Sequence, residues 1–370
     1  MSNITLPKAR LGSTDWEASR LGLGGFHQVE VSSEIVERVI TAYLEMGGNY
    51  VETARSYGHG ASEEKIGRAL EGRRDQVILV SKSGSRDADG IRRDLEASLR
   101  ALRTDHIEIY FLHCVNLMEE FGTTVGPGGA VSALLQAKEE GLIGGIGFSS
   151  HRPPQLYREA IERIPLDVIL IWDNYLENLY LPEIHEEIYP LARERGVGIT
   201  AMKPLADGFL HRSAETAFRY ALCGGAEMLV SGTKSPEQVR QAAAAICKGP
   251  LSSEEREVVL RDAPELGRYV CRQCGVCSTD LEAIFRLEGY IDRQMLDYLP
   301  HNSAEYSLRV ILAPWFAMAD VGRQRFAERT WDVDGLAAEA EAVECPYEID
   351  VGRKLRLAMA KLQDKKPELV

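Results

Sequence analysis

From residue 20 to 247, short apolar runs alternate with amphipathic stretches, and this alternation constrains the fold more than any other feature. The runs at 21–25, 49–53, 77–81, 107–112, 143–148, 167–171, 197–201 and 228–230 read as eight strands. The stretches at 35–46, 62–70, 91–102, 131–140, 154–163, 183–195, 214–222 and 236–246 read as helices. In the first of these Ile35, Val39, Ile40, Tyr43 and Leu44 share a face. Repeated strand–helix units imply parallel strands joined by helical crossovers. Eight such units fit a closed (β/α)8 TIM barrel of α/β class. An open doubly wound sheet would carry G-x-G-x-x-G after its first strand, and LGLGGFHQ lacks that spacing.

A barrel of this kind takes about 250 residues, and the chain has 370. After residue 247 the alternation stops. A short charged helix at 254–261 is followed by a cysteine cluster and then by mostly helical sequence containing Trp315 and Trp331. The boundary is expected within 248–265, giving a barrel over 1–250 and a smaller helical segment over 251–370.

The net charge of −13 disfavours nucleic acid and anionic membranes as general partners. MSNITLPKAR has no apolar leader core. The longest apolar run, 308–318, is broken by Arg309 and Pro314. The expected location is the cytoplasm. Four of the seven cysteines are grouped, three in CRQCGVC and one in ECPYEID, and in a reducing compartment that favours metal over disulfides. Cys114, Cys223 and Cys247 are expected as buried small hydrophobes.

Barrel chemistry sits at the C-terminal strand ends. The second strand delivers Glu52 there, with Tyr57 on the loop beyond. The third delivers Lys82 and the fourth His113. A carbonyl that accepts a hydride needs a proton on its oxygen. A phenol can donate it, but its ordinary pKa is about 10. A lysine cation nearby is expected to favour phenolate and lower that value, with a carboxylate holding the lysine. A histidine would orient the substrate oxygen.

GGNYVETARSYGHGASEEKIGRAL, with VSKSG, LHCVN, GIGFSS, AMKPLADGFL and SGTKSPEQVRQA in that order, resembles the aldo-keto reductase family over roughly residues 9–247. The resemblance implies a barrel, NADPH as the usual cofactor, and an Asp–Tyr–Lys–His tetrad that reduces aldehydes and ketones. Tyr57, Lys82 and His113 match it, and Glu52 stands where the family has Asp. By the same resemblance Ser149, Ser150 and Asn174 contact the nicotinamide amide. Lys203, Pro204 and Leu205 end the seventh strand, where many members stack an aromatic. Gly25 and Phe26 line the mouth. Ser150 replaces a frequent Asn.

In the segment carrying Gly232, Thr233 and Lys234, Ser235, Pro236 and Gln238 form a capped helix start. Such a start is an anion site. Lys234 and Arg240 are placed to meet the 2′-phosphate and adenine of NADPH, with NADH also open. Ala243 and Ala244 stand where the family often has Glu-Asn.

The C-x2-C-x2-C of Cys271, Cys274 and Cys277, with Cys345 followed by Pro346, resembles a two-cluster ferredoxin segment reduced to one site. It predicts one [4Fe–4S] cluster on those four cysteines, a segment some aldo-keto reductases carry. Structural zinc is the alternative metal, and free cysteines with no metal are the remaining reading. The expected function is hydride transfer between NAD(P)H and a small-molecule carbonyl or alcohol, with Tyr57 as general acid/base. A cluster-mediated electron-transfer protein with a redox partner, and a non-catalytic barrel subunit, stand as alternatives. Substrate selection is expected from mouth loops including 115–129.

Overall fold

The computed structural model describes residues 4–152, 154–292 and 318–364. A hairpin of β1 (Lys8–Arg10) and β2 (Glu17–Ser19) precedes the barrel. Eight parallel strands follow: β3 (Leu21–Gly24), β4 (Tyr50–Glu52), β5 (Ile78–Ser83), β6 (Ile107–Leu112), β7 (Ile143–Ser149), β8 (Val168–Trp172), β9 (Gly198–Met202) and β10 (Met228–Gly232). They close in sequence order, with β10 against β3 in the register Leu229↔Leu21. Each expected strand is present. The closed parallel sheet explains why runs such as ILVSKS are buried throughout, polar residues included. Gly147 shows how tightly the interior is filled, because a Cβ there would come within 2.6 Å of the Phe111 ring.

The outer helices include α1 (Ser33–Glu45), α2 (Ala61–Ala69), α3 (Ala88–Leu102), α4 (Met118–Val125), α5 (Ala130–Glu139) and α6 (Gln155–Arg163). In α1 the buried face is Val36, Val39, Ile40 and Tyr43, with Ile35 and Leu44 at its flanks. The single helix expected at 183–195 is a π-turn, Ile184–Ile188, leading into a short helix, Tyr189–Glu194. Pro190 lies at that junction and brings no N–H to the ladder. The stretch 115–129, expected as a loop, contains α4, whose start is fixed by Glu120 Oε2 accepting the amides of Asn116 and Leu117.

The chain divides into two compact units, Met1–Asn174 with Glu183–Ser252, and Tyr175–Pro182 with Ser253–Val370. The second is helical in its described residues. It contains Tyr175–Tyr180, Ser253–Asp262, Thr279–Asp292, Ala319–Ala327, Val333–Ala342 and Val351–Leu362. Its core gathers Leu281, Ile284, Phe285, Tyr290, Leu355 and Ala358. Trp331 stacks on Phe326, whereas Trp315 and most of the run 308–318 lie outside the described residues. No helix among the described residues is long and apolar enough to cross a membrane. The expectation of three buried cysteines needs correction. Cys247 is exposed and Cys114 and Cys223 are half-buried, because Cys247 ends a surface helix rather than facing the core.

Candidate functional site

The C-terminal ends of β4, β5 and β6 are hydrogen-bonded neighbours, with Glu52 beside Val80 and Lys82 beside Phe111. That register brings Glu52, Lys82 and His113 together. Lys82 Nζ donates to Glu52 Oε1 at 2.6 Å and to the Thr53 carbonyl at 2.8 Å. The lysine is fully buried and Glu52 nearly so. Glu52 Oε2 is buried and has no partner. Tyr57, half-exposed, lies with its ring 5.2 Å from Lys82 Nζ, and edge-on to His113 at 5.7 Å and to Phe26 at 5.2 Å. His113 Nδ1 is 3.4 Å from Ser56 Oγ.

The electrostatics differ from the sequence expectation in one respect. Burial pushes the Tyr57 phenol well above its ordinary value, and the negative charge of Glu52 pushes the same way. The expected depression by Lys82 is not what governs it. Lys82 spends its charge on Glu52, and its Nζ lies over the phenol ring, 5.2 Å from the ring centre. Burial also lowers the Lys82 ammonium from its usual range, with Glu52 opposing. Burial, then Lys82, Arg86 and Lys203, drive His113 well below the ordinary imidazole range. The ligand-free site therefore holds a protonated phenol beside a neutral imidazole. That pair can hand a proton to an oxygen and hydrogen-bond it.

The remaining expected residues fall around the same end of the barrel or on the first two turns of the helix that follows β10. Gly25 is pressed against Glu52, donating its N–H to that residue's carbonyl at 2.6 Å. A Cβ there would come within 2.7 Å of the same oxygen. Ser149 and Ser150 are buried. Ser149 Oγ accepts the Cys114 amide at 3.2 Å, and Ser150 Oγ donates to Asn116 at 3.2 Å. Asn174 is buried and donates to the Lys203 carbonyl at 3.1 Å. Lys203 has a left-handed backbone (φ 57) and pairs with Asp207 at 2.8 Å. Pro204 is buried and Leu205 half-buried.

After β10, Ser235 caps the helix Pro236–Cys247 by accepting the Gln238 amide at 3.3 Å. Gln238 reaches back to the Lys234 amide rather than to Ser235 itself. Gly232 is exposed, and a Cβ on it would meet the His27 ring at 2.4 Å. Lys234 forms an ion pair with Glu30. Arg240 is exposed, 3.6 Å from Glu237. Sequence reasoning missed Gln28. Its Nε2 donates to the Thr233 carbonyl at 2.8 Å. Its Oε1 and Thr233 Oγ1 are buried without partners. Two unsatisfied buried polar atoms beside a capped helix start fit a polar ligand such as a dinucleotide. No motif marks Gln28, because only the closure of β10 on β3 brings it to Thr233.

In the second unit Cys271, Cys274, Cys277 and Cys345 line one cavity, with Val276, Phe285, Pro346, Ile349 and Val351 in its walls. Gln273 (φ 52) and Gly275 (φ 78) adopt left-handed backbones between the cysteines and curl the loop around the cavity. The Gln273 amide points at Cys271 Sγ, 3.5 Å away. Arg272 is buried there, its guanidinium held by the carbonyls of Leu260, Leu266, Val270 and Gly267. Lys354, buried against Glu288, also favours the Cys271 thiolate, although burial outweighs it and raises that thiol. Burial first, then the three neighbouring cysteines, push the Cys277 thiol up to about 12. Among the described residues no three or more His, Cys, Asp or Glu are disposed to hold a metal ion. Buried cations, an N–H aimed at sulfur and four thiols around an apolar hollow fit an anionic thiolate-bound cluster.

The sequence matches the aldo/keto reductase family over residues 20–248. The chain belongs to that family. The uncharacterized oxidoreductase YqkF of Bacillus subtilis is 29% identical over 215 residues, 55% of this chain and 66% of that protein. The uncharacterized oxidoreductase YrpG of the same organism is 31% identical over 229 residues, 54% of this chain and 67% of that protein. The chain thus spans about two thirds of the length of these relatives. Among solved structures, an aldo-keto reductase from Bacillus halodurans in its holo form superimposes with a TM-score of 0.60 at 27% identity, over 68% of this chain and 94% of that one. An aldo-keto reductase from Klebsiella pneumoniae in complex with NADPH gives 0.58 at 24% identity, over 70% and 95%. At that identity the likeness speaks for the fold. The aldo/keto reductase match ends at residue 248 and does not include the cysteine cavity.

Proposed function

We propose that this aldo/keto reductase interconverts a small carbonyl compound and its alcohol with a nicotinamide cofactor, NADPH before NADH, in the cytoplasm. The observation that carries the reading is the buried Lys82–Glu52 pair beneath Tyr57 and His113. A bound reduced nicotinamide would supply the hydride. Tyr57, kept protonated by burial and by Glu52, donates its proton to the substrate oxygen as negative charge develops there. His113, neutral, hydrogen-bonds that oxygen and fixes its direction. Lys82 holds the floor of the site, and Glu52 keeps it charged. Ser149, Ser150, Asn174, Lys203, Pro204 and Leu205 on one side, and Gly25, Phe26, Gln28, Gly232 and Thr233 on the other, would hold the cofactor. Ser235, Gln238, Lys234 and Arg240 would receive its phosphate end.

The second half of the proposal is one [4Fe–4S] cluster on Cys271, Cys274, Cys277 and Cys345. The C-x2-C-x2-C triplet with a distant fourth cysteine followed by proline supports a cluster over a single zinc, which more often takes paired C-x2-C motifs. Arg272 and Lys354 would offset its negative charge. The deciding experiment uses anaerobically purified protein. Saturable NADPH binding and aldehyde-dependent NADPH oxidation are expected, with about four irons per chain. Protein that binds neither nucleotide would end the reductase reading. Protein that carries iron-free zinc would end the cluster reading.

A further inference from the structure

We propose that Arg86 makes the barrel mouth a site for carbonyl substrates that carry a carboxylate. The inference rests on the reductase reading and names its substrate class.

Arg86 lies between the end of β5 and the start of α3, on a backbone that is zipped in place. Its carbonyl accepts the Ala130 amide at 2.9 Å, the Ala88 amide donates to Gly128 at 2.9 Å, and Asp87 bridges Gly129. The side chain is mostly buried. One end nitrogen donates to the Gly84 carbonyl at 2.9 Å and the other to the Cys114 carbonyl at 2.8 Å. Cys114 directly follows His113, so the guanidinium is tied to the strand end that carries the proposed substrate-orienting imidazole. A guanidinium has five N–H donors. Two go to these carbonyls, and the Nε–H is buried with no partner.

Its acidic neighbour is a poor competitor. Glu120 lies 3.6 Å away, and its Oε2 is already engaged by the amides of Asn116 and Leu117. The Cys114 thiol, pushed up to about 11 by burial, adds no negative charge. Lys203 is also within electrostatic reach of His113, although Asp207 pairs with it. A preorganised planar cation with unused donors, held by two carbonyls beside a hydride-acceptor site, matches a carboxylate. A site built around such a donor discriminates against a ligand that leaves it unpaired.

The test compares 4-oxobutanoate with butanal as substrates. Wild type is expected to prefer the acid. Arg86→Gln should cut the ratio of their kcat/KM values by about tenfold to a hundredfold, and Arg86→Lys should restore part of it. A ratio that Arg86→Gln leaves unchanged overturns the proposal. A second measurement needs no turnover. Calorimetry should show butanoate binding wild type about tenfold or more tighter than butanamide, and equally weakly in Arg86→Gln. Acid and amide that bind wild type alike overturn the anion site. Retained acid preference with no turnover of any aldehyde upholds that site and sinks the reductase reading instead.

Discussion

The barrel mouth and the cysteine cavity are both built from ionisable groups, and they are completed in different ways. At the mouth the protein supplies the compensating charge itself. Lys82 meets Glu52 and the Thr53 carbonyl, so a buried ammonium is satisfied before any ligand arrives. In the cavity burial raises the Cys271 thiol, burial and then the neighbouring cysteines raise the Cys277 thiol, and the buried cations Arg272 and Lys354 compensate only part of the negative charge that four thiolates would bring. The mouth is a charge-paired floor set by strand register. In the proposed reading the cavity is completed by what binds in it, since thiolates become ligands only when a metal displaces their protons.

That contrast breaks first at the proton donor. Tyr57→Phe keeps the ring and its contacts with Phe26 and His113 but removes the acid. Steady-state turnover should fall by about 10²- to 10⁴-fold, while nucleotide affinity read by fluorescence titration stays near wild type. Unchanged turnover would move the acid elsewhere and leave the mouth without the role assigned to it.

The pair beneath Tyr57 is tested by stability. Glu52→Gln strands the buried Lys82 with no counter-charge, and breaking such a pair costs about 3–5 kcal/mol. Urea unfolding of the barrel should show a loss of that size, and Glu52→Asp should recover most of it. A loss below about 1 kcal/mol would place Lys82 in a wetter environment than its burial indicates. In the second unit Cys345→Ser should abolish bound iron and inorganic sulfide while leaving nucleotide binding by the barrel in place. Full iron content in that variant would remove Cys345 from the ligand set.

Much of this architecture was legible in the sequence, for identifiable reasons. The eight strands showed because a closed parallel barrel buries both faces of every strand, so each is a contiguous apolar run. The quartet Glu52, Tyr57, Lys82 and His113 showed because strand ends in a barrel share one rim. The direction of the Tyr57 shift did not show. Charges can be counted in a sequence, but the order of burial and pairing that lets Glu52 absorb Lys82 cannot. The same limit hid Gln28 and Arg86, whose partners Thr233 and Cys114 are far along the chain. The helix Met118–Val125 was read as loop, since only two of its residues, Phe121 and Thr124, are buried. In the second unit the cysteine spacing was plain, while the burial of Arg272 against four backbone carbonyls was not.

His113 gives the mouth a pH signature on the acid side, whereas the raised thiols of the cavity respond only to alkali. Its folded pKa is held well below the ordinary value by burial and by Lys82, Arg86 and Lys203. Below an unfolded value of about 6.5 the unfolded chain therefore takes up a proton that the folded chain refuses. Stability from this residue is present above that value. It is lost as pH falls, by about 1.4 kcal/mol per unit until the folded imidazole also titrates. Unfolding curves between pH 7 and 5 should show that slope, and His113→Gln should flatten it. A slope that survives the substitution belongs to another group.

The smallest effect sharpens the comparison at the outer edge of the barrel site. Lys234 is the residue proposed to meet a 2′-phosphate, yet in the ligand-free chain it is paired with Glu30. Burial raises the Glu30 carboxyl, and its bonds to Lys234 and His27 outweigh that and hold it low, so it is ionised when a phosphate approaches. A dianionic phosphate must displace that carboxylate or tolerate it nearby. Either way Glu30 works against NADPH more than against NADH, which lacks the phosphate. Exposed pairs of this kind are worth at most about 1 kcal/mol, so Glu30→Gln should tighten NADPH by no more than about fivefold and leave NADH nearly unchanged. Raising ionic strength should shrink the difference, because both side chains are about half-exposed and salt screens them. Equal tightening of both nucleotides would mean that Glu30 acts on the short helix Phe26–Glu30 and not on the phosphate, and the proposed preference for NADPH would then rest on Arg240.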